Sequence, residues 1–339
     1  MSKDHTGRSG EFEFIDAVRR AAGAPGRHAP VGIGDDAAVL RPPPGSDLVV
    51  TTDMLVSGRH FDPAWMSPRK IGRRAVLVNL SDLAAMGARP AGVFASLAFP
   101  PGTGRRFMNE IARGIETCSR EHGARLLGGD TNLSAGELAI CITAVGHARR
   151  GRIVRRSGAR PGDRILVTGT LGDAAMGLVL LKGETPPPRP AARRFLVRRF
   201  LEPEARLKAG MALAESRTAS AMIDISDGLL SDLGHILEES GADAEIRLTD
   251  VPTSAAFRSA PCPAGTSRED LALGYGDDYE LLFTVPPSRM KKLDGMRLSC
   301  AITEIGEIVP RGDRRGKRVR VLDERGRLFR PRMTGFRHF

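Results

Sequence analysis

Aspartate recurs in this sequence in short segments bounded by glycine or by an apolar run. Asp35 and Asp36 sit in Gly32-Ile33-Gly34-Asp35-Asp36, Asp53 follows Val49-Val50-Thr51-Thr52, and Asp82 lies in Asn79-Leu80-Ser81-Asp82. Asp130 follows Gly128-Gly129, Asp224 and Asp227 frame Ile225-Ser226, and Asp277-Asp278 precede Tyr279-Glu280. Taken singly, an Asp beside Gly is a turn or helix-cap residue. Taken in succession, each placed where an apolar strand is expected to stop, they become a candidate site, because catalytic groups of α/β folds gather at strand ends. Carboxylates brought together repel unless a cation holds them, and hard oxygen ligands suit Mg²⁺ before Ca²⁺. Such a site points to phosphate chemistry, since Mg²⁺ commonly bridges one or two Asp to substrate phosphates.

The usual phosphate cradles are missing. The one Gly-Lys pair, Gly316-Lys317, is followed by Arg318 and does not complete a GxxxxGK[ST] loop; the HRD and DFG sets of protein kinases are also missing. If the chain handles ATP, metal ions rather than a glycine loop must carry most of the phosphate charge.

These aspartates need elements to position them. With 339 residues and 41% hydrophobic content the chain can bury substantial cores, and two domains are expected. Strands are expected at Leu48–Thr52, Val93–Phe99 and Leu138–Val145, with helices at Arg69–Met86 and Phe107–His122. After the Gly158–Asp163 break the pattern restarts. It gives strands at Arg164–Thr168, Ala221–Ile225 and Leu281–Val285, and helices near Asp173–Lys182, Glu204–Glu215 and Gly228–Ser240. The boundary is placed at residue 150, giving domains 1–150 and 151–339, and Ser254–Glu269 reads as an irregular surface loop.

Composition narrows the function classes. The excess of 51 Lys+Arg over 40 Asp+Glu gives +11, but the Arg are scattered, and two Tyr and one Trp offer little stacking surface for single strands, so no nucleic-acid partner is expected. The apolar stretches are interrupted by Asn79, Asp82 or Asp173, so no membrane span is expected, and Met1–Gly10 lacks the apolar centre of a secretory signal, which leaves the cytoplasm as the expected compartment. Cys118, Cys141, Cys262 and Cys300 are far apart and read as reduced packing thiols.

Eight segments, in order, resemble the thiamine-monophosphate kinases. They are Gly32–Ala38, Thr51–Val56, His60-Phe61, Val78–Ala88, Gly128–Thr131, Arg156–Ala159, Ile223–Leu229 and Asp278–Leu281. The resemblance implies the two-domain α/β (α+β) fold shared with aminoimidazole-ribonucleotide synthetase. In that fold the N-terminal domain binds ATP and Mg²⁺ and pairs across a homodimer, and the C-terminal α/β domain completes the active site. It implies ATP-dependent conversion of thiamine monophosphate to thiamine diphosphate, with several Mg²⁺ ions and K⁺ as a further candidate. Carried over by motif, Asp36, Thr51, Thr52, Asp53, Asp82, Asp130, Asp224 and Asp227 would be metal ligands. Gly129, Asp130, Arg156 and Ser226 would contact ATP, and His60, Asp277 and Phe336 would face thiamine monophosphate.

The implied chemistry is coherent. The attacking atom would be a phosphate oxygen, already ionised, so no activated Ser, Cys or His is required and no catalytic side chain is assigned. Blander readings stay open for single members: Arg156 stands among Arg149, Arg150, Arg152 and Arg155 on what reads as a solvated face, His60 as a loop residue and Phe336 as a packing ring. Two positions depart from the family pattern. Gly-Gly-Glu-Asp-Tyr-Glu reads Tyr275-Gly276-Asp277-Asp278-Tyr279-Glu280 here, which shortens the substrate carboxylate by one methylene, and an aromatic position often occupied by Tyr is Phe336. The rival within the superfamily is another ATP-using enzyme such as a purine-pathway synthetase. Selenophosphate synthetases and hydrogenase-maturation dehydratases are disfavoured, since they need a reactive residue near the N-terminus or a terminal Cys, whereas the first Cys is Cys118 and the chain ends Arg337-His338-Phe339.

Overall fold

The computed structural model describes residues 14, 15, 17–20, 22, 29–312 and 318–335. The chain divides into two compact units, Met1–Leu83 with Arg89–Arg150, and Ala84–Ala88 with Gly151–Phe339.

The first unit is built on strands β1 (Ser46–Val56), β2 (Arg89–Phe99), β3 (Leu126–Leu133) and β4 (Ala139–Arg149), ordered β1-β4-β2-β3 in one sheet. Only β2 and β3 run parallel; β1 and β2 flank β4 antiparallel. Helices α1 (Pro68–Ala85) and α2 (Arg105–Glu121) supply the apolar stripe, and Ile71, Val76, Leu80, Ile111 and Ile115 are completely buried with Val93, Ile140 and Ile142 of the sheet. Each such side chain contributes about 1.5–3 kcal/mol when fully withdrawn from water.

The second unit holds a seven-stranded sheet of β5 (Arg164–Thr168), β6 (Ala221–Asp224), β7 (Asp243–Arg247), β8 (Leu281–Val285), β9 (Ile302–Val309), β10 (Val319–Leu322) and β11 (Leu328–Phe329), ordered β11-β10-β7-β9-β5-β8-β6. Its helices are α3 (Asp173–Lys182), α4 (Pro190–Leu201), α5 (Leu207–Glu215), α6 (Leu229–Ser240), α7 (Ala255–Ser259), α8 (Arg268–Gly274) and α9 (Pro287–Asp294). Ile165, Val167, Met176, Leu233, Ile236 and Leu282 belong to one continuous core. No helix among the described residues is long and apolar enough to cross a membrane.

Three expectations are corrected. Asp53, Asp82 and Asp130 do not stand at strand ends: Asp53 pairs with Ile142 inside β1, Asp130 pairs with Ser96 inside β3, and Asp82 lies in α1. Strands β1 and β3 run on because β4 and β2 supply ladder partners past Asp53 and Asp130, which for Asp130 overrides the local turn preference of Gly-Asp. The segment Ser254–Glu269 is not an irregular loop throughout. Ser254 caps α7 by accepting the Phe257 N–H, Phe257 is buried, and Ser267 opens α8 with a capping box to Asp270. Helix α4 was not anticipated; it begins at Pro190, in the first helical turn, where the missing N–H carries no penalty.

Candidate functional site

In the first unit the alternation of β1 sorts its residues onto two faces. Val49, Thr51, Asp53 and Leu55 turn inward, while Leu48, Val50, Thr52 and Met54 are exposed. Thr51 Oγ1 donates to Asp82 Oδ2 at 2.5 Å, joining β1 to α1. The Asp53 N–H donates to Asn79 Oδ1 at 3.1 Å, and Asn79 Nδ2 donates back to the Ala75 carbonyl. As an edge strand, β1 leaves alternate N–H groups outside the ladder, and fully buried Asn79 takes one of them. Thr51, Asp53 and Asp82 are thus brought together. The Thr52 hydroxyl is not: it donates to the Ile142 carbonyl at 3.2 Å and lies 3.2 Å from Thr143 Oγ1 on the opposite face. Any role of Thr52 on the Asp53 side falls to its main chain.

Asp36 and Asp130 line a second part of the same unit. A cavity of about 500 Å³ is bordered by Ile33–Ala38, Ser96 and Gly128–Thr131. Asp130 also borders an adjoining cavity of about 900 Å³ that includes Arg20, Thr103, Arg105 and Asn109. Both volumes suit a small ligand. Glycine is obligatory at position 129, where φ is 157° and a Cβ would come within 1.9 Å of the Ala95 carbonyl oxygen. Backbone there can approach both the neighbouring strand and a ligand. His60 lies in the turn after β1, and its Nδ1 accepts the Val56 N–H at 3.0 Å, which leaves Nε2 as the protonated nitrogen.

In the second unit Asp224 ends β6, buried, and Ser226 and Asp227 follow before α6. Asp232, inside the first turn of α6 and 2% exposed, accepts the N–H groups of Asp227 at 3.1 Å and Gly228 at 3.0 Å. Burial, with repulsion from Asp224 and Asp227, pushes the Asp232 carboxyl up to about 8. Asp227, Asp232 and His235 each offer a ligand atom, all within 4.8 Å of one another. A crowd of carboxylates that one proton only partly relieves is the environment a divalent cation satisfies, so the oxygen-rich donor set fits Mg²⁺.

Asp277 is hydrogen-bonded into the same segment. Its N–H donates to the Ser226 carbonyl and the Tyr279 N–H to the Ile225 carbonyl, both at 2.8 Å. Asp277 and Tyr279 have φ of 68° and 50°, a left-handed conformation costing about 1–2 kcal/mol for each non-glycine residue, so neighbours must enforce it. Glu280 supplies the anchor: completely buried, it accepts from Arg199 Nη2 at 2.8 Å, from Arg206 Nε and Nη2 at 2.6 Å, and from Thr168 Oγ1 at 2.6 Å. Burial likewise raises Asp278 well above the usual carboxylate range. Arg156 is exposed, and its carbonyl accepts from Ser240 Oγ at 3.3 Å; Phe336 lies outside the described residues.

Sequence reasoning missed Asn79, Asp232 and the Glu280–Arg199–Arg206 cluster. The signal available for Asp232 was a carboxylate in the opening turn of an amphipathic helix, five residues after Asp227. For Arg199 and Arg206 there was none, because their charges meet Glu280 across 81 and 74 residues of chain.

Comparison with known proteins places this geometry. The family model for AIR synthase related protein, N-terminal domain, matches residues 34–148, and that for the C-terminal domain matches residues 160–318. Thiamine-monophosphate kinase of Salmonella typhimurium is 39% identical over 289 residues, 84% of this chain and 85% of that protein. The crystal structure of thiamine-monophosphate kinase from Stenotrophomonas maltophilia superposes with a TM-score of 0.79 at 38% identity, covering 92% of this chain and 96% of the other. AaThiL complexed with AMPPCP and TMP matches over 100% of both chains, with a TM-score of 0.75 and 31% identity. Two AIR-synthase-related domains in this order, with that identity sustained over most of the length, make the chain a member of the thiamine-monophosphate kinase family.

Proposed function

We propose that the ATP-dependent phosphorylation of thiamine monophosphate, the activity this family carries, proceeds here by direct in-line transfer of the γ-phosphoryl group to the substrate phosphate. The observation that carries the reading is the pair of main-chain hydrogen bonds, within one unit, from Asp277 to Ser226 and from Tyr279 to Ile225, which supports reading Asp277 as a substrate carboxylate beside the segment that carries Asp224 and Asp227. The acceptor phosphate oxygen is already anionic, so the protein has to position two polyanions rather than generate a nucleophile.

Asp36, Thr51, Thr52, Asp53, Asp82, Asp130, Asp224 and Asp227 are read as the residues that hold Mg²⁺, with K⁺ a further candidate ion. Bound Mg²⁺ would supply neutralisation of the phosphate charges. Thr51 orients Asp82 by its 2.5 Å hydrogen bond, and Asn79 fixes the backbone of Asp53. Gly129, Asp130, Arg156 and Ser226 are assigned to ATP, Arg156 through the two-pronged fit of guanidinium to phosphate. His60, Asp277 and Phe336 are assigned to thiamine monophosphate, with His60 offering its Nε2–H. The reading places the reaction in the cytoplasm.

A homodimer belongs to the same reading. Leu48, Val50 and Met54 on the outer face of β1 are 47%, 61% and 57% exposed, an apolar row that a second copy would cover. Light scattering should give twice 36.4 kDa, and Val50→Glu should return the monomer.

The central test is ADP release with ATP and Mg²⁺, comparing thiamine monophosphate with free thiamine, with products identified by mass spectrometry. Thiamine diphosphate formed only from the monophosphate, and lost with EDTA, is the expected result. Folded protein that releases no ADP above background with thiamine monophosphate would refute it.

A further inference from the structure

The turn carrying Asp277 is held more rigidly than a surface contact requires. Its two left-handed, non-glycine residues flank Asp278, whose Oδ2 accepts the Gly172 N–H at 2.9 Å and whose carbonyl accepts from Arg199 Nη2 at 3.2 Å. On one side Gly276 packs so tightly that a Cβ would lie 1.8 Å from the Ser226 carbonyl oxygen. On the other, Glu280 is clamped by Arg199 and Arg206. Strain maintained by so many bonds marks a segment whose geometry matters more than its own stability. That geometry places the Tyr279 ring, 8% exposed, so that its hydroxyl donates to Asp277 Oδ1 at 3.1 Å.

We infer that Tyr279 is a positioning residue for thiamine monophosphate, its hydroxyl fixing the Asp277 carboxylate so that Oδ2 is presented to the cationic or amino groups of the thiamine moiety. The inference rests on the assignment of Asp277 to that substrate. Asp277 carries a short side chain with little reach of its own, so its affinity depends on where the turn aims it. With Oδ1 held by the hydroxyl, the rotamer is settled before binding and less freedom is lost when the substrate arrives. A hydrogen bond that an ionised carboxylate accepts from an amino group is also shorter and stronger than a neutral one, which makes its direction matter.

The test compares wild type, Tyr279→Phe, Asp277→Ala and the double variant, measuring initial rates against thiamine monophosphate and against ATP, with melting temperatures to confirm folding. Tyr279→Phe should raise KM for thiamine monophosphate about five- to tenfold, with kcat within about twofold and KM for ATP unchanged. Asp277→Ala should raise the same KM, and Tyr279→Phe should add nothing in its background. If Asp277→Ala raises KM but Tyr279→Phe does not, the positioning role is overturned while the assignment of Asp277 stands. If Asp277→Ala leaves KM unchanged, the assignment falls and the inference with it. An equal effect of Tyr279→Phe with and without Asp277 would show a structural role and overturn the inference. Should Asp277→Ala fail to fold, Asp277→Asn takes its place.

Discussion

Asp36 and Asp130 of the first unit are exposed to solvent, while Asp224, Asp232, Asp278 and Glu280 of the second are buried. The first pair borders cavities, and in the same unit Thr51 donates to Asp82. The second is tied to two arginines, to backbone N–H groups and to a strained turn. Exposed carboxylates keep their charge and can share an ion with water and phosphate. Buried ones must be paired, protonated or metal-bound to be tolerated at all. One unit therefore offers ligands that substitution should remove without loss of fold, and the other offers groups whose removal disturbs the fold first.

Asp130→Asn tests the exposed side most severely. It removes a ligand charge without changing volume, so turnover should fall by about 10²–10³ or more while melting temperature stays within a degree or two. Wild-type turnover in that variant would remove Asp130 from the site. Glu280→Ala tests the buried side: it leaves Arg199 unpaired in the interior, and urea denaturation should show a loss of about 3–5 kcal/mol. A variant as stable as wild type would break the contrast between the units. Thr51→Val should be milder. Losing the hydroxyl that orients Asp82 is expected to lower kcat about tenfold and to raise the Mg²⁺ concentration needed for half-maximal rate, with stability nearly unchanged.

The smallest effect is a pH dependence in the second unit. Asp232 is raised from 3.8 to about 8, so the folded protein keeps a proton that the unfolded chain releases. This group's contribution is complete below pH 3.8 and is lost as pH rises toward 8, at no more than ~1.4 kcal/mol per pH unit. Metal-free protein should therefore melt lower at pH 8 than at pH 6, Asp232→Asn should flatten the slope, and saturating Mg²⁺ should raise the melting temperature most at the higher pH. A slope identical in wild type and Asp232→Asn would assign it to other groups.

Much of the site was legible because its parts are local. Ile223–Leu229 and Asp278–Leu281 each carry their chemistry within a few residues, and the strand–turn–helix run from Ala221 to Ser240 is readable from its apolar pattern. The expectation that Asp53 and Asp130 stand at strand ends failed for a non-local reason: whether a strand continues past Thr52-Asp53 or Gly129-Asp130 depends on the partner beside it, here β4 for Asp53 and β2 for Asp130, while Asp82 falls within the helix that the apolar spacing predicts. Thr51 and Thr52 show the same limit at finer scale. Adjacent and chemically alike, they face opposite sides of β1, and only the packing of α1 decides which one meets Asp82.

By itself the sequence determined the family, the mixed α/β class and the carboxylate segments, since these are encoded in contiguous residues and in hydrophobic period. Tertiary structure alone decided that Asn79 holds Asp53, that Arg199 and Arg206 converge on Glu280, and that the Tyr279 hydroxyl reaches Asp277. Each of these is a directional contact whose length depends on ångström-scale placement of side chains and backbone, in the first two cases across distant elements and in the third within a turn that distant groups hold strained. No local propensity encodes that placement.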